Sequence, residues 1–165
     1  MLRSILTILI ILFGVCPIAV GQEQTPVLSA GISLNSQVPS ELMGTWRVVS
    51  KIIETDSPEN FKNVGVVIWN LFRSGDVISL CNPFTGAEAS VNVEYIKDNT
   101  VRFSKEGNYE GKKLIDTVEI TIDNNTFSGK NYVTLESDTG NLDNRVRSAT
   151  YALSGRKISG NSVLE

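Results

Sequence analysis

Ala87-Glu88-Ala89-Ser90-Val91-Asn92-Val93-Glu94-Tyr95-Ile96 is the stretch on which the fold turns. Ala89, Val91, Val93 and Tyr95 fall on one side of an extended chain, and Glu88, Ser90, Asn92 and Glu94 on the other. A helix cannot gather that period of two into one apolar stripe, whereas a strand presents it as one buried and one wet face.

The same alternation recurs on both sides. It is read at Gly44 to Glu54, Val64 to Arg73, Asp76 to Cys81, Thr100 to Lys105, Leu114 to Ile122, Thr126 to Leu135, Arg145 to Leu153 and Arg156 to Ser159. Between these segments stand Ser74-Gly75, Asp98-Asn99, Asp123-Asn124-Asn125 and Ser154-Gly155, residues that tolerate positive φ or cap their own turn. Sequence neighbours joined by such short connections form hairpins. About eight strands in that order, or nine with the last one separate, are expected to curl until the first meets the last. The predicted fold class is therefore all-β, an antiparallel up-and-down barrel. Only Asp56 to Asn63, with Ser57 as a cap and Pro58 in the first turn, has helical character, and it is expected as one turn across a barrel mouth.

Ahead of the barrel, Arg3 followed by the apolar run Ile5 to Phe13, then Pro17 and Ala19-Val20-Gly21, reads as a secretory signal over residues 1–21, cleaved before Gln22. The apolar run is short for a transmembrane anchor and has no basic flank beyond it. Acylation at Cys16 is the third reading, although Phe13-Gly14-Val15 and Pro17 fit it poorly. Residues 22–37 read as a flexible linker, and 38–165 as the barrel domain. A secreted or periplasmic location follows, with no membrane span in the mature chain.

Of the 165 residues, 41% are hydrophobic and 20% charged, which is enough apolar material for one core. The formal charge of −3 becomes −4 once Arg3 leaves with the leader. The bases are scattered among acids, so nucleic acid is not an expected partner. Cys81 is then the lone cysteine, and its place after Val77-Ile78-Ser79-Leu80 suggests a thiol in the barrel wall.

Leu42-Met43-Gly44-Thr45-Trp46-Arg47-Val48 resembles the Gly-x-Trp opening of lipocalins and of bacterial lipocalin-like domains. Ile68-Trp69-Asn70-Leu71-Phe72 before Arg73-Ser74-Gly75-Asp76 is similar to the second strand and turn of the bacterial domains. Tyr151-Ala152-Leu153-Ser154-Gly155-Arg156-Lys157-Ile158 looks like their closing hairpin. The resemblance implies that Gly44 lets the chain enter the barrel, that Trp46 plugs its closed end, and that an arginine of the last strand, Arg145 or Arg147, packs on that indole. The middle lipocalin motif has no counterpart here.

The chain contains no histidine, which excludes Ser-His-Asp and Cys-His pairs and histidine-ligated zinc. Gly107 and Gly111 are not followed by the Lys-Ser/Thr of a phosphate loop. Glu88 or Glu94 near Glu119 could be drawn as a carboxylate pair, but all three sit on the wet face. Asp138, Asn141, Asp143 and Asn144 lack the spacing of a calcium loop. No catalytic residue, cofactor or metal site is expected.

A barrel of this size can hold one small ligand or be filled by its own side chains. The inward candidates for a cavity are Val48, Ile52, Val91, Val93, Tyr95, Phe103, Val118, Ile120 and Phe127, with Tyr95 or Tyr132 holding the polar end of an apolar guest. The leading expectation is an exported binding protein for a small hydrophobic molecule. A ligand-free barrel acting as a structural or protein-interaction module at the cell surface is the alternative, and a lipocalin-like enzyme is the third class.

Overall fold

The computed structural model describes residues 33–137, 146–160 and 163–164. The expected leader, most of the expected linker, Arg145 and the Asp138 to Asn144 cluster lie outside them. After α1 (Leu34–Gln37) and a 3-10 turn (Ser40–Leu42) the chain is almost wholly strand. The strands are β1 (Gly44–Thr55), β2 (Val64–Ser74), β3 (Val77–Cys81), β4 (Glu88–Lys97), β5 (Thr100–Tyr109), β6 (Lys112–Asp123), β7 (Thr126–Ser137), β8 (Arg147–Ser159) and the two-residue β9 (Val163–Leu164).

Each of β1 to β8 pairs antiparallel with its sequence neighbours, and β1 also pairs with β8 over Thr45 to Thr55. This closes an eight-stranded up-and-down barrel and leaves no edge running its full height. β9 lies parallel to Arg73 and Ser74 of β2, beyond the point at which β1 pairing ends.

Alternation fills the interior. Trp46 and Val48, Val91 and Val93, Val101 and Phe103, Val118 and Ile120 are buried pairs at i and i+2 on four strands. The two-residue turns carry the positive φ that matches strand twist, at Gly75 (57°), Asp98 (52°), Glu110 and Gly111 (52° and 75°) and Asn124 (52°).

Four local expectations change. Arg145 to Leu153 and Arg156 to Ser159 are not two strands around a hairpin, since β8 runs unbroken through Ser154-Gly155. Gly155 faces inward opposite Val48 and Phe127, and a Cβ there would stand 2.2 Å from the Phe127 ring, so the glycine makes room for an aromatic and not for a turn. Residues 56–63 form a tight turn, closed by the Asn60 amide donating to the Ser57 carbonyl at 2.9 Å, with no helix. Phe61 on that loop joins the core. The end of the expected linker, residues 33–37, is ordered as α1 capped by the Ser33 hydroxyl, and it lies against β4. Finally, the alternation of the 87–96 segment breaks at Glu94. Val93 pairs with Phe103 and Tyr95 with Arg102, leaving Glu94 as a bulge. One extra residue swaps the faces beyond it, so Ile96 turns inward and Tyr95 outward.

Candidate functional site

The meander places the starts of β1, β3, β5 and β7 at one end of the barrel and their finishes at the other. The first end is sealed. The Trp46 indole is fully buried, and its Nε1 donates to the Leu42 carbonyl at 2.8 Å. Phe127 contacts both tryptophans, tilted by 53° to Trp46 with ring centroids 5.1 Å apart and stacked on Trp69 with centroids 5.9 Å apart. The cation over Trp46 is Lys157, whose Nζ lies 5.1 Å from the ring centroid and donates to the Glu41 carbonyl at 2.6 Å. Partial burial lowers the Lys157 pKa below that of an ordinary lysine. Arg147, expected in that role, is at the opposite end of β8 and donates to Asn60 Oδ1 at 3.3 Å. Gly44 has φ of 121°, and a Cβ there would meet the Gly160 and Ser159 carbonyls, so the chain enters the barrel on a conformation and a clearance that suit glycine.

The second end is open on one side. β4 and β5 pair from Lys97↔Thr100 up to Asn92↔Ser104, and no ladder pair joins them above that level. There β4 follows β3, while β5 follows β6 to Tyr109. Behind this divergence is a pocket of about 190 Å³. Val67 and Trp69 of β2, Leu80 and Cys81 of β3 and Ala89 of β4 give it an apolar lining, and Asn82, Glu88 and Lys105 bring polar groups to it. Ala89, half-buried on the inward phase of β4, and Ala87, exposed just before that strand, bring only methyl groups to the lining.

Lys105 also reaches Asp116, its partner across the β5–β6 ladder, at 2.5 Å, with both side chains mostly buried. The other oxygen of that carboxylate, Asp116 Oδ1, is buried without a hydrogen-bond partner, as is Asn131 Oδ1 two positions along on the neighbouring strand. Tyr151 pairs with Asn131, and burial pushes its hydroxyl pKa up. A polar seam therefore crosses the interior wall from Lys105 towards Tyr151.

None of the ten residues expected to form a cavity lines this pocket. Val48, Val91, Val93, Phe103, Val118, Ile120 and Phe127 are buried in a common core and fill the barrel against one another, and Ile52 packs partly buried against them. Tyr95 and Tyr132 are corrected outright. They are 42% and 37% exposed on the outer face, Tyr95 through the bulge and Tyr132 because the inward phase of β7 falls on Phe127, Gly129 and Asn131. Glu94 and Glu119 do come together, but Arg102 lies between them at 3.0 and 3.5 Å and packs 5.9 Å from the Tyr132 ring centroid. That is a surface ion-pair ladder, with a cation where a pair of catalytic carboxylates would need a substrate.

No family model, no curated protein and no solved structure matches the chain. What the site does is therefore argued from its own residues.

Proposed function

We propose that this protein is exported, loses residues 1–21, and holds one small, largely apolar molecule in the open half of a lipocalin-like barrel. The observation that carries this reading is the pocket itself, with Trp69 and Leu80 in its lining, the small Ala89 on the inward face of β4, and Lys105 at its polar side. Its volume of about 190 Å³ lies below the roughly 300–1,000 Å³ of most ligand clefts. The guest is accordingly a compact ring or short chain with one polar group, not a haem or a retinoid. Lys105 offers such a group ammonium donors beyond the one engaged by Asp116.

The filled lower half of the barrel supports the second reading, a structural or protein-interaction module whose loops act. The two are separated by native mass spectrometry of the protein taken from its own compartment without detergent, followed by denaturation. A stoichiometric apolar adduct is the expected result. An apo mass, together with no rise in melting temperature across a panel of lipids and small aromatic compounds, would end the binding reading.

A further inference from the structure

The pocket between β4 and β5 has a cation in its wall, and that cation is compensated from behind. Lys105 is the one base among the described residues that line the pocket, and its Nζ lies 2.5 Å from Asp116 Oδ2, with the two side chains 21% and 13% exposed. Glu88 lines the same pocket, so one positive charge stands against two negative ones. Lys113, further along β6, is 44% exposed, pairs with Glu106 at 3.0 Å and lies outside the lining.

The polar atoms behind Lys105 are acceptors as well. Asp116 Oδ1 and Asn131 Oδ1 are buried and receive no hydrogen bond from the described residues. No donor other than Lys105 therefore draws charge from the Asp116 carboxylate, and its full negative charge stays beside the ammonium. The polar side of the pocket is an ion pair seen from its positive end, not an isolated cation.

Given the binding reading, on which this rests, we propose that the polar group of the guest is an uncharged oxygen, a hydroxyl or a carbonyl, and that the pocket discriminates against a carboxylate of the same shape. A carboxylate loses far more hydration on entry than a hydroxyl does, and recovers it only beside an uncompensated cation or several donors. Here Asp116 neutralises the cation, and an incoming negative charge is set against both Asp116 and Glu88. An uncharged oxygen needs a single N–H. The Lys105 ammonium carries three, of which Asp116 engages one. Trp69 and Leu80 then take the apolar body.

The test titrates the protein at neutral pH with three probes of one shape, benzyl alcohol, benzoate and benzylamine, and follows the amide resonances of Leu80 and Ala89 so that the pocket itself reports. Benzyl alcohol should move both resonances, with benzoate at least about tenfold weaker. Asp116→Asn keeps the shape of the wall and leaves Lys105 uncompensated, so it should strengthen benzoate about tenfold and change benzyl alcohol by less than about threefold. Glu88→Gln, at an exposed position that does not bear on folding, should strengthen benzoate about twofold, and it holds the test together if Asp116→Asn fails to fold. Benzoate bound as tightly as benzyl alcohol at these amides, benzylamine bound more tightly than either, or no gain for benzoate in a folded Asp116→Asn protein would each overturn the proposal while the pocket remains a binding site. Leu80 and Ala89 unmoved by all three probes would overturn it together with the binding reading.

Discussion

The two ends of this barrel are built from the same strands and differ in almost everything else. At the closed end, two-residue turns carry positive φ at Gly75, Asp98 and Asn124, Phe127 packs against Trp46 and Trp69, and Lys157 caps the Trp46 indole. At the open end three of the four connections are longer, β4 parts from β5, apolar side chains face water, and a pocket enters the wall. Folding free energy gathers where side chains interlock, and the loops held above that base are left to meet other molecules. Strand order sorts the connections of β1 to β8 between the ends, and every one longer than two residues falls at the open end, where only Glu110-Gly111 is as tight as the turns opposite.

The contrast can be broken most severely at its base. Trp46→Ala removes the largest fully buried side chain together with the Leu42 hydrogen bond, and should cost about 3–5 kcal/mol, read as a lower denaturation midpoint in urea. Gly155→Ala should cost about 1–3 kcal/mol, because its methyl group must displace the Phe127 ring and disturb both tryptophans. If either change proves neutral, the closed end is not the stable half.

Nearer the pocket, Lys105→Met should destabilise by roughly 1–2 kcal/mol by leaving Asp116 mostly buried without its cation. Lys105→Met combined with Asp116→Leu should recover most of that loss, and the double-mutant cycle measures the coupling. At the mouth, Asp56 accepts from the Ser148 amide and hydroxyl, both at 2.8 Å, which holds its carboxyl below the ordinary value of 3.8. A depressed carboxylate contributes above its unfolded pKa and loses that contribution as pH falls through the folded one. Acidification below about pH 3.8 should therefore loosen the 56–63 loop, seen as faster amide exchange at Ser148 and Asn60, before the closed end changes. The smallest effect is expected at the tip, where Phe84→Ser should leave stability within about 0.5 kcal/mol.

Much of the barrel was legible because β-strands write their faces into sequence at a period of two, and tight hairpins select a few residue types. The chain turns at Gly75-Asp76, Asp98-Asn99 and Asn124-Asn125, each within one residue of where the sequence places a turn. Ser154-Gly155 has the same local signature and does not turn. Nothing local separates a glycine required for its φ from one required for the space beside it, and only the position of Phe127 across the ladder makes that distinction.

The candidate site was less legible. Counting in twos along 87–96 carried Tyr95 inward, and a bulge that exists only through the β5 register sent it out. Lys157 reaches Trp46 because β1 and β8 pair with Trp46 opposite Lys157, a contact across 111 residues of chain that an arginine-based resemblance could not locate. The pocket depends on where two ladders stop, and on an alanine, Ala89, that looks ordinary until its neighbours are known.

By itself, then, the chain specified strand, turn and the inner face of most segments, because those preferences act within a few residues of backbone. Register, closure, the bulge at Glu94, the Lys105–Asp116 pair and the pocket beside it were decided by tertiary structure. They arise from contacts between strands distant along the chain, whose relative offset is settled only when the sheet closes and every inward side chain must find room at once.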